Sequence, residues 1–218
     1  VEYLDWTKAL PEGVEALAPT SVVHENHVYF YPLYRYKTNG IPISGNILAR
    51  IPVDKLDQPS GAFEYLDKEG TWSRVLLPEN VKVIFAAGLS ELSVRYHEQT
   101  RQWMAVYLSP DDKGLKLLYE TAYRLEGPWS GPRILIASIA EVNPASAFFD
   151  KNTFCYAGKE HRQFSGDNRI VVTYVCNSSE DLNGPAGFLR KNLFLYRPVV
   201  KWIDYPQIPV SNGKTHPN

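Results

Sequence analysis

Three segments of this chain share one plan: a short β-favouring run, a polar turn and a second β-favouring run. The first comprises residues 19–23, a turn through His24-Glu25-Asn26-His27, and residues 28–31. The second comprises residues 92–96, a turn through His97-Glu98-Gln99, and residues 103–107; the third comprises residues 160–164, a turn through Ser165-Gly166-Asp167-Asn168, and residues 170–174. Runs rich in Val, Ile, Tyr and Trp, bounded by polar residues, predict antiparallel hairpins. Aligned on Tyr31, Tyr107 and Tyr174, they predict one supersecondary unit used three times. A further strand follows each pair, at residues 46–50, 115–119 and 192–196. In two units a fourth element carries a Trp-Ser pair, at residues 69–76 and again at 126–130 with 133–135 after it. Asp5-Trp6-Thr7 is a fainter copy of that outer element.

Four short strands per unit, repeated with the same order, predict an all-β fold of β-propeller blades, and a β-sandwich would not explain the recurrence. The expected blade units are about residues 14–77, 85–136 and 153–203, with residues 1–10 as the outer strand of a preceding blade and 204–218 as a tail. Only residues 9–17 could hold a helical turn, and Pro11 and Gly13 weaken it. About three four-stranded blades are too few to close a ring, which takes roughly four to eight. The remaining blades are therefore expected from a missing N-terminal segment or from another chain.

The charge balance narrows the partners. With 23 basic and 24 acidic side chains and a net charge of −1, the chain has no basic run to neutralise phosphates, so no nucleic acid is expected. No apolar stretch reaches the roughly 18 residues of a membrane-spanning helix, so no membrane partner is expected. Two cysteines are too few for a disulfide scaffold or a thiolate zinc site. Cys155 and Cys176 would face each other across the third hairpin, which leaves a disulfide or two separate buried thiols. Asn177-Ser178-Ser179 fits the N-glycosylation pattern, by modification or by chance. A disulfide and a glycan would both place the protein outside the cell.

In a propeller the first strand of each blade lines the central axis, so its polar residues are the candidates for chemistry. Glu91, Ser93 and Arg95 alternate onto one face in the second unit, and Lys159, His161 and Gln163 take the matching places in the third. Glycosidases generally need two carboxylates, and Glu91 is the candidate acid/base, with Arg95 or His161 tuning it. The structural alternative has Glu91 and Arg95 paired with each other or with neighbouring blades, and His161 as a hydrogen-bonded framework histidine. The run from Tyr29 to Tyr36 offers rings for sugar stacking, with Tyr34 and Arg35 the members expected to reach a ligand. Asp111, Asp112 and Asp167 read as turn residues. The histidines have no metal-ligand spacing, and no phosphate loop or serine elbow is present, so neither a metal nor a cofactor is expected.

Residues 90–96 before Trp103, then Thr121-Ala122-Tyr123 and Glu126-Gly127-Pro128-Trp129-Ser130, resemble the domain of unknown function 4185 family. Residues 156–161, 172–177 and 195–198 look like that family's C-terminal signature, so the resemblance spans about residues 85–203. The Gly-Pro-Trp-Ser motif also recurs in five-bladed glycosidases similar to glycoside hydrolase families 43 and 32. The resemblance implies a five-bladed propeller, in some members an endo-acting arabinanase that cleaves furanoside polymers. It carries over only Glu91 and His161, as catalytic; the strand and aromatic pattern adds Ser93, Arg95, Tyr34, Arg35 and Lys159 as expected substrate contacts. Catalytic carboxylates of such enzymes lie partly in N-terminal blades. Two functions therefore stand: a glycoside hydrolase module acting on an extracellular furanose polysaccharide, or a carbohydrate-binding or scaffolding propeller without turnover.

Overall fold

The structure is a computed structural model, and it describes residues 6, 10–38, 40–111, 114–166, 168–179 and 195–206. Strand β1 (Val14–Ala16) precedes the hairpin of β2 (Ser21–His24) and β3 (His27–Phe30). Glu25 and Asn26 close that hairpin with both φ angles positive, the turn whose twist matches the flanking strands. The chain then runs through Tyr31-Pro32 into β4 (Leu33–Thr38), turns back as β5 (Ile41–Ile47), and passes through Leu48 into β6 (Ala49–Pro52). β7 (Glu64–Leu66) and β8 (Trp72–Ser73) complete a five-stranded sheet in the order β2-β3-β6-β7-β8. β4 and β5 extend the same hairpin into a separate sheet, β1-β4-β5-β9, closed by β9 (Val83–Phe85).

The second blade is a plain antiparallel meander of β10 (Ser93–His97), β11 (Gln102–Asp111), β12 (Gly114–Ala122) and β13 (Arg133–Ile136). The third comprises β14 (Thr153–Glu160), β15 (Arg169–Ser178) and β16 (Pro198–Asp204). The described residues thus form an all-β fold of propeller blades, with no α-helix among them.

Several strands fall elsewhere than the sequence pattern predicts. In the third blade the first strand is β14, and residues 162–164 form a 3-10 turn after it. The strand beside β15 is β16, seven residues beginning at Pro198, and Leu195 and Tyr196 lie in the turn before it. The stretch 192–194, like Asp5, Thr7, Asp112 and Asp167, lies outside the described residues. In the second blade residues 126–130 are a loop and Arg133–Ile136 is the fourth strand. In the first blade β7 intervenes before the Trp72-Ser73 strand.

Two apolar interfaces join the three blades. Tyr29, Tyr31, Leu48 and Leu66 of the first meet Leu92, Val94, Trp103 and Tyr107 of the second. Met104, Val106, Leu117 and Tyr119 of the second meet Ile170 and Val172 of the third. Strand β11 is therefore buried on both faces from Trp103 to Tyr107, which explains its unbroken apolar run. Tyr31 and Tyr107, aligned in the sequence pattern, are not equivalent positions of the blade. Tyr31 faces the following blade and Tyr107 the preceding one, and the two share a single aromatic cluster with Phe85 and Trp129. In a strand of period two, an offset of one residue turns every side chain to the other face.

Several polar groups caught between the blades are matched inside the protein. His97, read from sequence as a turn residue, ends β10, and its Nε2 lies 3.0 Å from Glu160 Oε2 with both side chains sealed from solvent. The Glu160 amide donates to Ser93 Oγ at 2.7 Å. Tyr107 donates its hydroxyl to Glu120 Oε1 at 2.5 Å. The outward face of the third blade is different: Phe164, Val200 and Trp202 are exposed beside His161 and Thr173, around a shallow hollow of about 570 Å³.

His97→Ala would leave the Glu160 carboxylate buried without its partner, and is expected to lower unfolding stability by about 3–5 kcal/mol in urea denaturation. A midpoint unchanged from wild type would contradict that. Burial pushes the Glu120 carboxyl above its usual range, despite opposing hydrogen bonds from Tyr107 and the Gly131 backbone. A group raised on folding stabilises below its unfolded pKa and loses that contribution as pH rises through the folded value. The stability of wild type relative to Glu120→Gln is accordingly expected to fall between pH 4 and pH 7.5, by denaturant melts at both pH values.

Candidate functional site

Glu91 sits on the loop that links β9 to β10, and that loop is fixed at several points. Leu89 and Leu92 are buried in the interface of the first two blades. Between them, Ser90 and Glu91 turn outward. Asn46, fully buried, donates Nδ2 to the Leu89 carbonyl at 2.8 Å and to the Tyr31 carbonyl at 3.0 Å, while the Leu89 amide donates to Asn46 Oδ1 at 2.7 Å. One amide side chain thus ties the point where the first hairpin changes sheets to the loop that carries Glu91. Sequence pattern placed Asn46 as an ordinary strand residue; a lone Asn opening an apolar run, Asn46-Ile47-Leu48-Ala49, was the available signal.

The pocket beside Glu91 has a volume of about 290 Å³. Its walls are the loop 87–91, Leu108 and Leu115 from the β11–β12 hairpin, and residues 155–158 of β14. β14 is bulged there: Tyr156 pairs with Val175 and Lys159 with Thr173, so one extra residue is accommodated between them. Ala157 takes a positive φ of 56° at the bulge. A Cβ at Gly158 would stand 2.8 Å from the Leu108 backbone nitrogen, so only glycine allows β14 to approach β11 this closely. The bulge thereby brings Cys155 and Tyr156 to the same opening as Glu91. Glu91 is the one carboxylate among the described lining residues, and it has no hydrogen-bond or ion-pair partner among the described residues.

Cys155 and Cys176 stand directly opposite each other on β14 and β15 and form a disulfide. Glu141, which sequence reasoning passed over, lies with its carboxylate within 4.8 Å of both sulfurs and accepts a hydrogen bond from the Tyr174 hydroxyl at 3.1 Å. Burial, with Glu141 beside it, pushes the Tyr174 hydroxyl well up, so it remains a donor. These three residues do not make a metal centre, because the two sulfurs are bonded to each other.

The other residues singled out from sequence are dispersed. Ser93 is buried and occupied by the Glu160 amide. Arg95 is half-buried and donates to the Val94 carbonyl at 2.7 Å. With Tyr107 and Tyr174 aligned, the pairings Ser93–Val106 and Lys159–Thr173 make Lys159 the counterpart of Ser93, and His161 that of Arg95. Ala157, not Lys159, then matches Glu91. His161 lies beyond the end of β14, its Nε2 2.7 Å from Thr173 Oγ1, and borders the hollow on the outward face of the third blade, not the Glu91 pocket. Tyr34 is fully buried and stacked on Tyr36, so its ring is not open to a ligand. Tyr29, Phe30, Tyr31 and Tyr34 are all buried, so the run does not form an open stacking platform. Arg35 is exposed and pairs with Glu15 at 2.7 Å. Asn177 is half-buried, with its Oδ1 accepting from the Ser178 amide.

Asn46→Ala would strip three buried backbone groups of their partners, at roughly 1–3 kcal/mol for each unmatched group. The variant is expected to lose about 3 kcal/mol in denaturant unfolding and to exchange the Leu89 amide much faster by hydrogen exchange. Retained protection at Leu89 would show that the loop is held by other means.

No protein of curated function matches the chain in sequence. Among solved structures, it is similar to a Bacteroides ovatus protein provisionally called a hydrolase, with a TM-score of 0.53 at 15% identity over 83% of this chain. The chain spans 42% of that protein's length. Weaker likenesses extend to the family 32 β-fructofuranosidase of Bombyx mori (TM-score 0.44, 14% identity, 78% of this chain and 31% of that one). The family 62 α-L-arabinofuranosidase catalytic domain of Coprinopsis cinerea gives a TM-score of 0.40 at 16% identity, over 78% of this chain and 49% of that one. The family profile that matches covers residues 6–164, so it takes in the first two blades and leaves out the C-terminal residues 172–177 and 195–198 on which part of the sequence resemblance rested. With most of its length matched, the chain belongs to the domain of unknown function 4185 family.

Proposed function

We propose that this chain carries the Glu91 half of a glycoside hydrolase site acting on a furanose-containing polysaccharide outside the cell. The observation that carries the proposal is the Glu91 pocket: an unpartnered carboxylate, on a loop clamped by Asn46, facing an opening shaped by a bulge in the neighbouring blade. A carboxyl group in such a place can hold a proton for the leaving oxygen of a glycoside. The fold likeness to the Bacteroides ovatus protein supports a hydrolase. The disulfide between Cys155 and Cys176 suits an oxidising compartment.

Glycoside cleavage needs a second carboxylate, and the described lining of the pocket holds only Glu91. In this proposal the second group comes from blades beyond the three seen here, from another part of the polypeptide or from a partner chain. The exposed Phe164, Val200 and Trp202 give those blades a face to pack on, since the preceding blade buries apolar residues on its corresponding face. The same lack of a second carboxylate favours one alternative, a propeller that binds carbohydrate without cleaving it.

The test is hydrolysis of arabinan and of other furanoside polymers by the complete assembly, this chain together with the further blades, followed by release of reducing ends. Glu91→Gln is expected to cut turnover about 100- to 10,000-fold while leaving the fold intact. Equal turnover in the variant would remove Glu91 from the chemistry. Binding of polymer by both forms, with turnover by neither, would select the non-catalytic propeller.

A further inference from the structure

A second cleft opens between the first two blades, at the end of the strands away from Glu91. The strand register fixes this. Leu108 and Leu115, which border the Glu91 pocket, lie at the β11–β12 hairpin, whereas Trp103 pairs with Tyr96 and Ala122 at the opposite end of the same sheet. Five residues of extended strand separate Leu108 from Trp103, about 17 Å. The second cleft has a volume of about 270 Å³, and its lining joins the β2–β3 turn to Trp103 and to the loop that follows β12.

Its chemistry is mixed in a way the Glu91 pocket is not. One wall is aromatic: the His24 ring stands edge-on to Trp103, with centroids 5.3 Å apart, and Tyr29 and Tyr123 also line the space. The other wall is charged with both signs. Glu25 lies 3.6 Å from His24 Nε2, and Arg124 Nε lies 3.5 Å from a Glu126 oxygen. The Glu126 carboxylate is largely shielded, and it is held where it adds to burial in keeping the Tyr31 hydroxyl un-ionised. Two carboxylates against one arginine disfavour an anion. An apolar ligand would have to strip water from all of these groups. A polyol ring meets both walls, because its C–H face packs on aromatic rings while its hydroxyls both donate to carboxylates and accept from a guanidinium. The size suits one sugar ring with part of a neighbour.

We infer that this cleft is a second carbohydrate site, which holds one residue of a neutral glycan and takes no part in bond cleavage. The inference shares the carbohydrate class with the proposed function but none of its residues, so the two can fail separately. The probes are arabinotriose, xylotriose and 1-kestose, titrated into the native chain by calorimetry, with hydrolysis by the same samples followed separately. Saturable binding of at least one trisaccharide is expected. It should weaken about tenfold in Tyr123→Ala and in Arg124→Ala, and stay unchanged in Glu91→Gln. Arg124 and Tyr123 are exposed, so both variants are expected to keep the wild-type circular dichroism and melting point. Glu25→Gln, in an exposed turn, gives a third variant should either of those fail to fold. Binding that survives the cleft variants but is lost in Glu91→Gln would overturn the inference, as would no binding of any of the three sugars. Cleft-dependent binding would uphold it whether or not the same samples hydrolyse the sugar.

Discussion

The central strands of this protein are covered on both faces, and most of its other features follow from that constraint. A strand packed between two sheets cannot spare alternate positions for water, so β11 is apolar at five consecutive residues from Trp103 to Tyr107. Each side chain must then serve one blade interface or the other. The cluster of Tyr31, Phe85, Tyr107 and Trp129 shows the result, with rings from both blades meeting at edge and tilted angles and centroids 5.0–6.2 Å apart.

Double burial is demanding for polar groups, and the chain meets the demand with a few specific pairs. His97 and Glu160 answer each other across the second interface, and Ser93 takes up the Glu160 amide beside them. Asn46 does the same at the first interface, where the hairpin leaves one sheet for another around Pro32 and its backbone groups lose regular partners. An unmatched group at any of these places would cost more than a matched one contributes. These pairs therefore fix position as well as stability, and the loop that presents Glu91 inherits its rigidity from Asn46.

A frame of this kind leaves chemistry to the strand ends, where packing relaxes and side chains reach solvent. At one end of the second blade the β14 bulge and the Glu91 loop form a pocket with a single carboxylate. At the other end, aromatic and charged side chains from two blades line a cleft of similar size. The two openings differ in composition because they are built from different connections, and the sheets between them are the same rigid material.

Much of the architecture was legible in the chain. The three hairpins, the all-β class and the blade repeat followed from β-favouring runs and polar turns, and those are local properties that a short window of sequence contains. Glu91 was also legible as a candidate, because a carboxylate in front of a first strand stands out in an otherwise apolar pattern. What the chain could not display was parity and register. Tyr31 and Tyr107 look equivalent in sequence, yet they point into the same interface from opposite sides. Lys159 and His161 stand two positions away from their expected match to Glu91 and Ser93, because β14 ends at Glu160 and residues 162–164 turn away as a 3-10 element that no composition rule reveals. The burial of Tyr34 and the pairing of His97 with Glu160 were likewise decided by tertiary structure. The reason is the same in each case: alternation along a strand says which residues share a face, and only packing against another sheet says where that face looks.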